Sequence, residues 1–265
     1  MKTISSRQSP IVRAFRDLAA DPDSAGARLL LDGAHQVRDA LAAGLTIETM
    51  AVATSRIESP TEEGDLAYEA ERTGADVVAV TGAVMAAVSP VRTPSGIVAI
   101  VGRTPTTGAA ICAVENAFVV AAVDVQDPGN LGSLIRAVEA GGATGMLVCG
   151  ASANPFSWKA LRGSMGSALR LPVAHGLTAR DAIGYATRFG SRTVAAVPTD
   201  GEAPEAVDWS GRLLLMLGGE GGGLDAEIIG HCEERVTIPM TPPVESLNVA
   251  VAGGILVYAA RRQRS

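Results

Sequence analysis

Three stretches in the second half of the chain are apolar at every position: Ala117-Phe118-Val119-Val120-Ala121-Ala122-Val123, Gly145-Met146-Leu147-Val148-Cys149 and Leu213-Leu214-Leu215-Met216-Leu217. A strand with one wet face alternates apolar and polar residues. These do not, so both of their faces must be covered, as in a parallel sheet flanked by helices. Segments with helical spacing lie between them, including 130–142, 179–190 and 246–263. Strands alternating with helices predict an α/β fold built on a parallel sheet. With 47% apolar residues and only 3% aromatic ones, the core must be mostly Val, Leu, Ile and Ala.

The first part shows the same alternation in smaller form. Residues 9–21 have helical spacing, and 28–44 read as a strand, a turn at Asp32-Gly33 and a helix ending at Gly44. A strand over 47–55, a helix over 61–74 with acids in its first turn, and strands at 76–81 and 96–102 complete it. Arg103 to Ala110, with Pro, Gly and three Thr, has little to bury. The expected division is a small α/β domain over 1–102, a linker over 103–112 and a second domain over 113–265. In that second domain 157–169 is expected as one helix despite its glycines, and 235–240 as a strand.

A formal charge of −6 gives no global attraction to nucleic acid. Local surfaces oppose it: Lys2, Arg7, Arg13, Arg16 and Arg28 near the start, and Arg261, Arg262 and Arg264 at the end. Cys112, Cys149 and Cys232 lie far apart with no Cys-x-x-Cys, which favours buried thiols in a reducing compartment. The three histidines show no metal-ligand spacing, so no metal site is expected. The first ten residues hold no apolar run of a secretory signal, and no stretch reaches the roughly 20 uninterrupted apolar residues that span a bilayer. A cytoplasmic protein without membrane contact is the expectation.

Four stretches could carry chemistry. Asn130-Leu131-Gly132-Ser133 lies where a strand gives way to a helix, where free N–H groups favour a phosphate or carboxylate, with Arg136 a turn further in. An Asn-capped helix with a surface Arg explains the same residues. Residues 213–224 place five glycines around Glu220 after an apolar strand. Gly221, Gly223 and Ala226 satisfy a loose dinucleotide-loop pattern, but the acidic residue it needs would fall in a Pro-rich loop. A structural turn remains open there. Ile238-Pro239-Met240 offers an apolar wall, Ser246 a helix cap, and Asn248 an amide in the first turn. Gly253-Gly254 inside that helix costs about 1 kcal/mol per Gly against Ala, which implies close packing. Finally, Lys159, Arg162 and Arg170 beside Phe156 and Trp158 could hold a phosphate backbone and a stacked base, or form a solvated helix face over a buried aromatic.

Taken together, these segments resemble the SpoU/TrmH family of RNA ribose 2′-O-methyltransferases in the SPOUT superfamily. The motif N-x-G-S/T-x-x-R matches Asn130 to Arg136, G-x-E-x-x-G after an apolar strand matches Gly218 to Gly223, and I-P-M followed by S-L-N-V matches 238–240 and 246–249. Upstream, 29–44 and 93–101 look like the small RNA-binding domain, similar to a ribosomal-protein fold, that precedes the catalytic domain in TsnR/AviRb-like members. Pro94-Ser95-Gly96 stands where many relatives carry His-Gln before the Gly.

The resemblance implies a deep trefoil knot and S-adenosylmethionine held on backbone around Leu217, Gly218, Gly219, Ile238, Met240 and Leu247. It implies Arg136 as the residue acting on the ribose, with Asn130, Glu220, Ser246 and Asn248 holding Arg136 and the ribose, and Glu220 paired to Arg136. It further implies RNA contacts from Arg7, Arg13, Lys159 and Arg162, a homodimer through the C-terminal helices, and ribosomal RNA ahead of transfer RNA as substrate. A binding module without catalysis and a nicotinamide-dependent oxidoreductase are the rival functions.

Overall fold

A computed structural model describes residues 1–58 and 60–264. The chain forms two compact units. One comprises Met1–Pro105 with Phe156–Arg162, the other Thr106–Pro155 with Gly163–Ser265.

The first unit runs β1 (Lys2–Ile4), α1 (Pro10–Ala20), β2 (Arg28–Asp32), α2 (Ala34–Ala42), β3 (Thr46–Ala53), α3 (Thr54–Ile57), α4 (Glu62–Arg72), β4 (Asp76–Val80), α5 (Gly82–Val88) and β5 (Ile97–Gly102). Its sheet is mixed, in the order β1-β4-β3-β5-β2, with β5 antiparallel to both its neighbours. The edge strand β1 escapes a sequence reading because it has three residues and buries only Ile4. Phe15 and Val12 of α1 pack with Ile4, Leu30, Val84 and Ile100 in one core. Asp32 at the end of β2 accepts hydroxyl hydrogen bonds from Ser89 (2.5 Å) and Ser95 (2.8 Å), tying both ends of the loop that holds Pro94-Ser95-Gly96.

The remainder runs α6 (Gly108–Ala113), β6 (Phe118–Val123), α7 (Pro128–Ala140), β7 (Gly145–Cys149), α8 (Trp158–Ser164), α9 (Ser167–Arg170), β8 (Val173–Leu177), α10 (Ala179–Arg188), β9 (Arg192–Ala196), β10 (Leu213–Gly218), α11 (Ala226–Gly230), β11 (Glu234–Val236) and α12 (Val249–Arg264). Among the described residues its sheet has six strands, β11-β9-β10-β6-β7-β8, all parallel. The unbroken apolar runs are its central strands, and every residue of β6 and β7 is buried.

Several local expectations change. Residues 108–112 are helical, because Thr107 caps α6 by accepting from the Ala110 N–H (3.2 Å) and Ile111 and Cys112 reach the core. The single helix expected over 157–169 breaks at Met165 and Gly166, both left-handed. The strand expected over 235–240 ends at Val236, so Ile238-Pro239-Met240 is loop. Burial pushes the Cys112 and Cys232 thiols up to about 11 and that of Cys149 to about 12, as for inert core thiols.

Helix α12 lies on α7. A Cβ at Gly253 would stand 2.3 Å from Leu134 Cδ1 and 3.0 Å from Leu217 Cδ1, so the missing side chain lets two leucines bury completely. Each buried leucine contributes about 1.5–3 kcal/mol, which outweighs the helix penalty of about 1 kcal/mol for the glycine. The close packing expected around Gly253-Gly254 is thus made against side chains. The basic end of α12 is largely consumed in the fold. Arg264 donates to the carbonyls of Trp209 (2.6 Å), Gly211 (2.7 Å) and Asn116 (2.9 Å), and Arg261 to that of Ala140 (2.7 Å).

The tightest point is the end of β10. A Cβ at Gly219 would fall 2.0 Å from the Asp124 carbonyl oxygen, and one at Gly218 2.1 Å from the Gly223 carbonyl carbon. Backbone cannot yield as a side-chain tip can. Gly219→Ala is therefore expected to destabilise by about 3 kcal/mol, the upper end of ordinary overpacking. Gly222→Ala, with open space around it and no left-handed φ, should stay within about 0.5 kcal/mol of the parent. Urea unfolding of the two variants checks this; equal stabilities would remove the crowding argument.

Candidate functional site

In a parallel sheet all strands end on one edge, and the loops leaving that edge are where open α/β folds bind ligands. Here β6 is followed by the start of α7, and β10 by the glycine loop. Helix α7 starts at Pro128, whose ring suits the first helical turn. Asp127 is its cap, with Oδ1 accepting from the Asn130 N–H at 2.7 Å. Asn130 to Ser133 therefore lies within the helix expected over 130–142, which starts two residues earlier, and the chain's own Asp127 carboxylate already stands at the N-terminus where an anionic ligand was expected. The Asp-Pro pair before an amphipathic segment is the sequence signal that would have found this cap.

Because Asp127 serves the backbone, the Asn130 side chain is free for tertiary bonds. Its Nδ2 donates to Glu220 Oε1. Its Oδ1 accepts from Asn248 Nδ2 at 2.9 Å. Asn248 Oδ1 in turn accepts from the N–H groups of Ala250 (2.9 Å) and Val251 (3.3 Å), capping α12. The chain of bonds has one direction. An ionised carboxylate only accepts, so Glu220 fixes which way Asn130 points, and Asn130 then fixes Asn248. Asn248, placed by the sequence inside the first turn, is the cap itself. Ser246 is exposed two residues earlier, outside the helix and with no side-chain hydrogen bond among the described residues.

The expected Glu220–Arg136 ion pair is not formed. Arg136 is exposed on α7 and its guanidinium has no partner among the described residues. Leu217 is buried at the end of β10, and Gly218 and Gly219 are half-buried beyond it. Ile238 and Met240 are half-buried in the loop after β11, and Leu247 is 36% exposed. A ledge with no side chains, as at Gly218-Gly219, suits a flat heterocycle held by backbone groups. The stretch after β10 leads only into the five-residue α11, which gives little dipole for the dinucleotide pattern.

Arg7, Arg13, Lys159 and Arg162 all belong to the first unit and are all exposed. Lys159 Nζ lies 5.5 Å from the Trp158 ring centre. Phe156, considered for base stacking, is 2% exposed, covered by the Arg103 guanidinium at 4.5 Å and fitted against Gly26. It is a core residue. Among the described residues no three His, Cys, Asp or Glu side chains are grouped to hold a metal ion, and no helix is long and apolar enough to cross a membrane.

The site is thus a Glu220–Asn130–Asn248 chain with an unpaired Arg136 further along α7, in a unit built on a parallel sheet. The chain belongs to the SpoU rRNA Methylase family, whose model matches residues 117–258. Residues 24–99 match the MRM3-like substrate binding domain. An uncharacterized tRNA/rRNA methyltransferase of Synechocystis sp. is 31% identical over 264 residues, 99% of this chain and 94% of the relative. The crystal structure of an AdoMet-bound rRNA methyltransferase from Sinorhizobium meliloti is 29% identical, with a TM-score of 0.86 over 98% of this chain and 97% of the other. The SpoU methyltransferase AviRb from Streptomyces viridochromogenes, in complex with AdoMet, is 25% identical with a TM-score of 0.84 over 97% and 98%.

The two jobs of Asn248 separate by substitution. Asn248→Ser keeps a capping oxygen and should leave stability within about 0.5 kcal/mol, whereas Asn248→Ala should lose about 1 kcal/mol. Both lose the amide to Asn130, and both should lower methyl transfer by about tenfold, the worth of one hydrogen bond in a transition state. Paired urea melts and initial rates measure this. Activity that tracks stability alone would show that the Asn130 contact does nothing.

Proposed function

We propose that this chain transfers the methyl group of S-adenosylmethionine to a ribose 2′-hydroxyl of RNA, with 23S ribosomal RNA as substrate. The observation that carries it is the Glu220–Asn130–Asn248 chain, whose central member Asn130 lies on the same helix as the unpaired Arg136. Arg136 lies six residues on from Asn130, about 9 Å along the helix axis at 1.5 Å per residue. The descriptions of the Sinorhizobium and Streptomyces relatives support the cofactor, and the former supports ribosomal RNA.

The cofactor, when bound, supplies an electrophilic sulfonium methyl. The backbone of Leu217, Gly218 and Gly219 and the residues Ile238, Met240 and Leu247 would hold it, the crowded backbone around 218–224 belonging to the trefoil knot that the family resemblance implies. Arg136 meets the ribose. A guanidinium, whose ordinary pKa is above about 12, is a poor base. Its role is electrostatic stabilisation of the negative charge that develops on the 2′-oxygen as its proton passes to solvent water. Asn130, Glu220 and Asn248 fix the helix and loop that present it, and exposed Ser246 contributes a hydroxyl to the ribose. Residues 1–102, with Arg7 and Arg13, and the segment carrying Lys159 and Arg162 bind RNA, the residues just after 102 join, and the rest of the chain from α6 onward catalyses. The match of 24–99 to a substrate-binding model supports that division. The setting is cytoplasmic.

The active species is a homodimer. Val251, Ile255 and Tyr258 of α12 follow helical spacing and are 51%, 41% and 48% exposed, and Val244 is 52% exposed near the same end. A run of large apolar side chains of this kind marks an interaction surface. Ile255→Asp is expected to convert dimer to folded monomer in analytical ultracentrifugation; an unchanged sedimentation coefficient would place the dimer contact elsewhere or remove it.

Transfer of labelled methyl groups to total RNA, separated into 23S, 16S and transfer RNA, tests the substrate. Label in 23S RNA alone supports the proposal, and label in transfer RNA replaces its substrate. Alkaline hydrolysis tests the position, since a methylated 2′-oxygen cannot attack the neighbouring phosphate. Label should then stay in alkali-resistant dinucleotides, whereas mononucleotide label means a base is modified. Arg136→Ala should cut turnover by at least about a hundredfold, the worth of a lost oxyanion-type donor, with cofactor affinity unchanged. Full turnover in this variant would remove Arg136 from the chemistry, and absence of all transfer and cofactor binding in the parent would favour an inactive RNA-binding homologue.

A further inference from the structure

Asp124, the first residue after β6, has φ of +58°. A non-glycine residue there costs on the order of 1–2 kcal/mol, and only short polar side chains adopt it with any frequency. Such strain persists where the surroundings over-determine it. Here they do. The Asp124 N–H donates to the Cys149 carbonyl (3.2 Å), and its Oδ1 accepts from the Ala151 N–H (2.6 Å). Its carbonyl oxygen occupies the place of a side chain at residue 219, and its Oδ1 lies 2.2 Å from where a Cβ at Gly150 would be. The flanking residues repeat the pattern: Val123 accepts from the Gly219 N–H (2.7 Å), while Val125 donates to Ser152 Oγ (2.9 Å) and accepts from the Ala153 N–H (2.8 Å).

One residue therefore touches the loop after β7 with its side chain and the loop after β10 with its backbone. It stands three residues before the Asp127 cap that frees the Asn130 amide. We infer that Asp124 is a positioning residue for methyl transfer: its left-handed backbone and its bond to Ala151 set Gly219, and so Glu220, against Asn130. Its reach is through those groups and not by contact with substrate. The inference rests on the proposed function for its catalytic meaning, while its geometric core is independent of it.

Asp124→Gly keeps the backbone conformation without strain but deletes the acceptor for Ala151. Asp124→Asn keeps one acceptor oxygen and a side chain tolerant of positive φ, and removes the charge. In Asp124→Gly, NMR should show the Asn130 side-chain amide and the Gly219 amide exchanging at least about tenfold faster, with kcat down about tenfold at saturating S-adenosylmethionine. In Asp124→Asn both readouts should return to within about twofold of the parent. A Tm loss in Asp124→Gly with unchanged amide exchange would make Asp124 a stability residue only and overturn the inference. Failure of Asn to restore exchange would overturn it too, since the charge rather than the geometry would then matter. If the parent neither binds S-adenosylmethionine nor transfers methyl groups, the proposed function fails, and the exchange data still decide whether Asp124 sets Glu220 against Asn130. If Asp124→Gly does not fold, Asp124→Ala and Asp124→Asn are compared by the same exchange readout, with faster exchange in Ala alone expected.

Discussion

The second unit depends on one steric fact: where β10 leaves the sheet, the carbonyl oxygen of Asp124 occupies the volume a side chain at 219 would need. Only a glycine can pass that point. Gly218 is pressed in the same way by the backbone of 223 and 224, so the loop folds back on itself. Glu220 leaves this narrow passage with little freedom in where it emerges. A carboxylate delivered to a fixed place can organise other groups, and it does so through hydrogen bonds that run in one direction, to Asn130 and then Asn248. The start of α12 is thereby tied to α7, and Gly253 lets the two helices close over Leu134 and Leu217.

The same chain has an electrostatic consequence. Glu220 is engaged by a neutral amide and not by Arg136. A guanidinium already paired with a carboxylate is partly neutralised, and its attraction for a developing alkoxide falls accordingly. An unpaired one keeps its full charge. On the proposed function, the arrangement separates two tasks that the sequence resemblance had joined: Glu220 fixes geometry, and Arg136 is left to act on an anion.

The sheet was legible from the sequence because its physics is local. Strands buried on both faces have to be apolar throughout, and β6, β7 and β10 are. The motif residues Asn130, Glu220 and Asn248 were legible as a set, and the structure brings these three together. Their partners were not. Ser246 looks like a helix cap because a hydroxyl before an apolar run usually is one, yet the Asn248 amide, held by Asn130, offers a better acceptor two residues later. Asn130 looks like the cap of α7 until Asp127, preceding a proline, takes that place. The break at Met165-Gly166 and the short β11 are likewise decided by packing and pairing between segments distant in sequence, which single-segment patterns do not contain.

Charge tells the same story at the surface. Counting arginines near the C-terminus predicts a basic patch, but Arg261 and Arg264 spend their donors on orphan carbonyls at helix and loop ends. Those guanidiniums are fold elements, and a net charge of −6 remains to be overcome by any polyanion. Cations held by carbonyls still carry charge, yet their geometry is fixed by the fold and cannot adjust to a phosphate. Arg7, Arg13, Lys159 and Arg162, exposed in the first unit, are free of that constraint, except that Arg7 also donates to the Ala83 carbonyl. On the proposed function, attraction of RNA is local to this unit. It follows that affinity should weaken with salt in proportion to those few contacts, while the methyl-transfer geometry, built from short internal bonds, is far less sensitive to ionic strength.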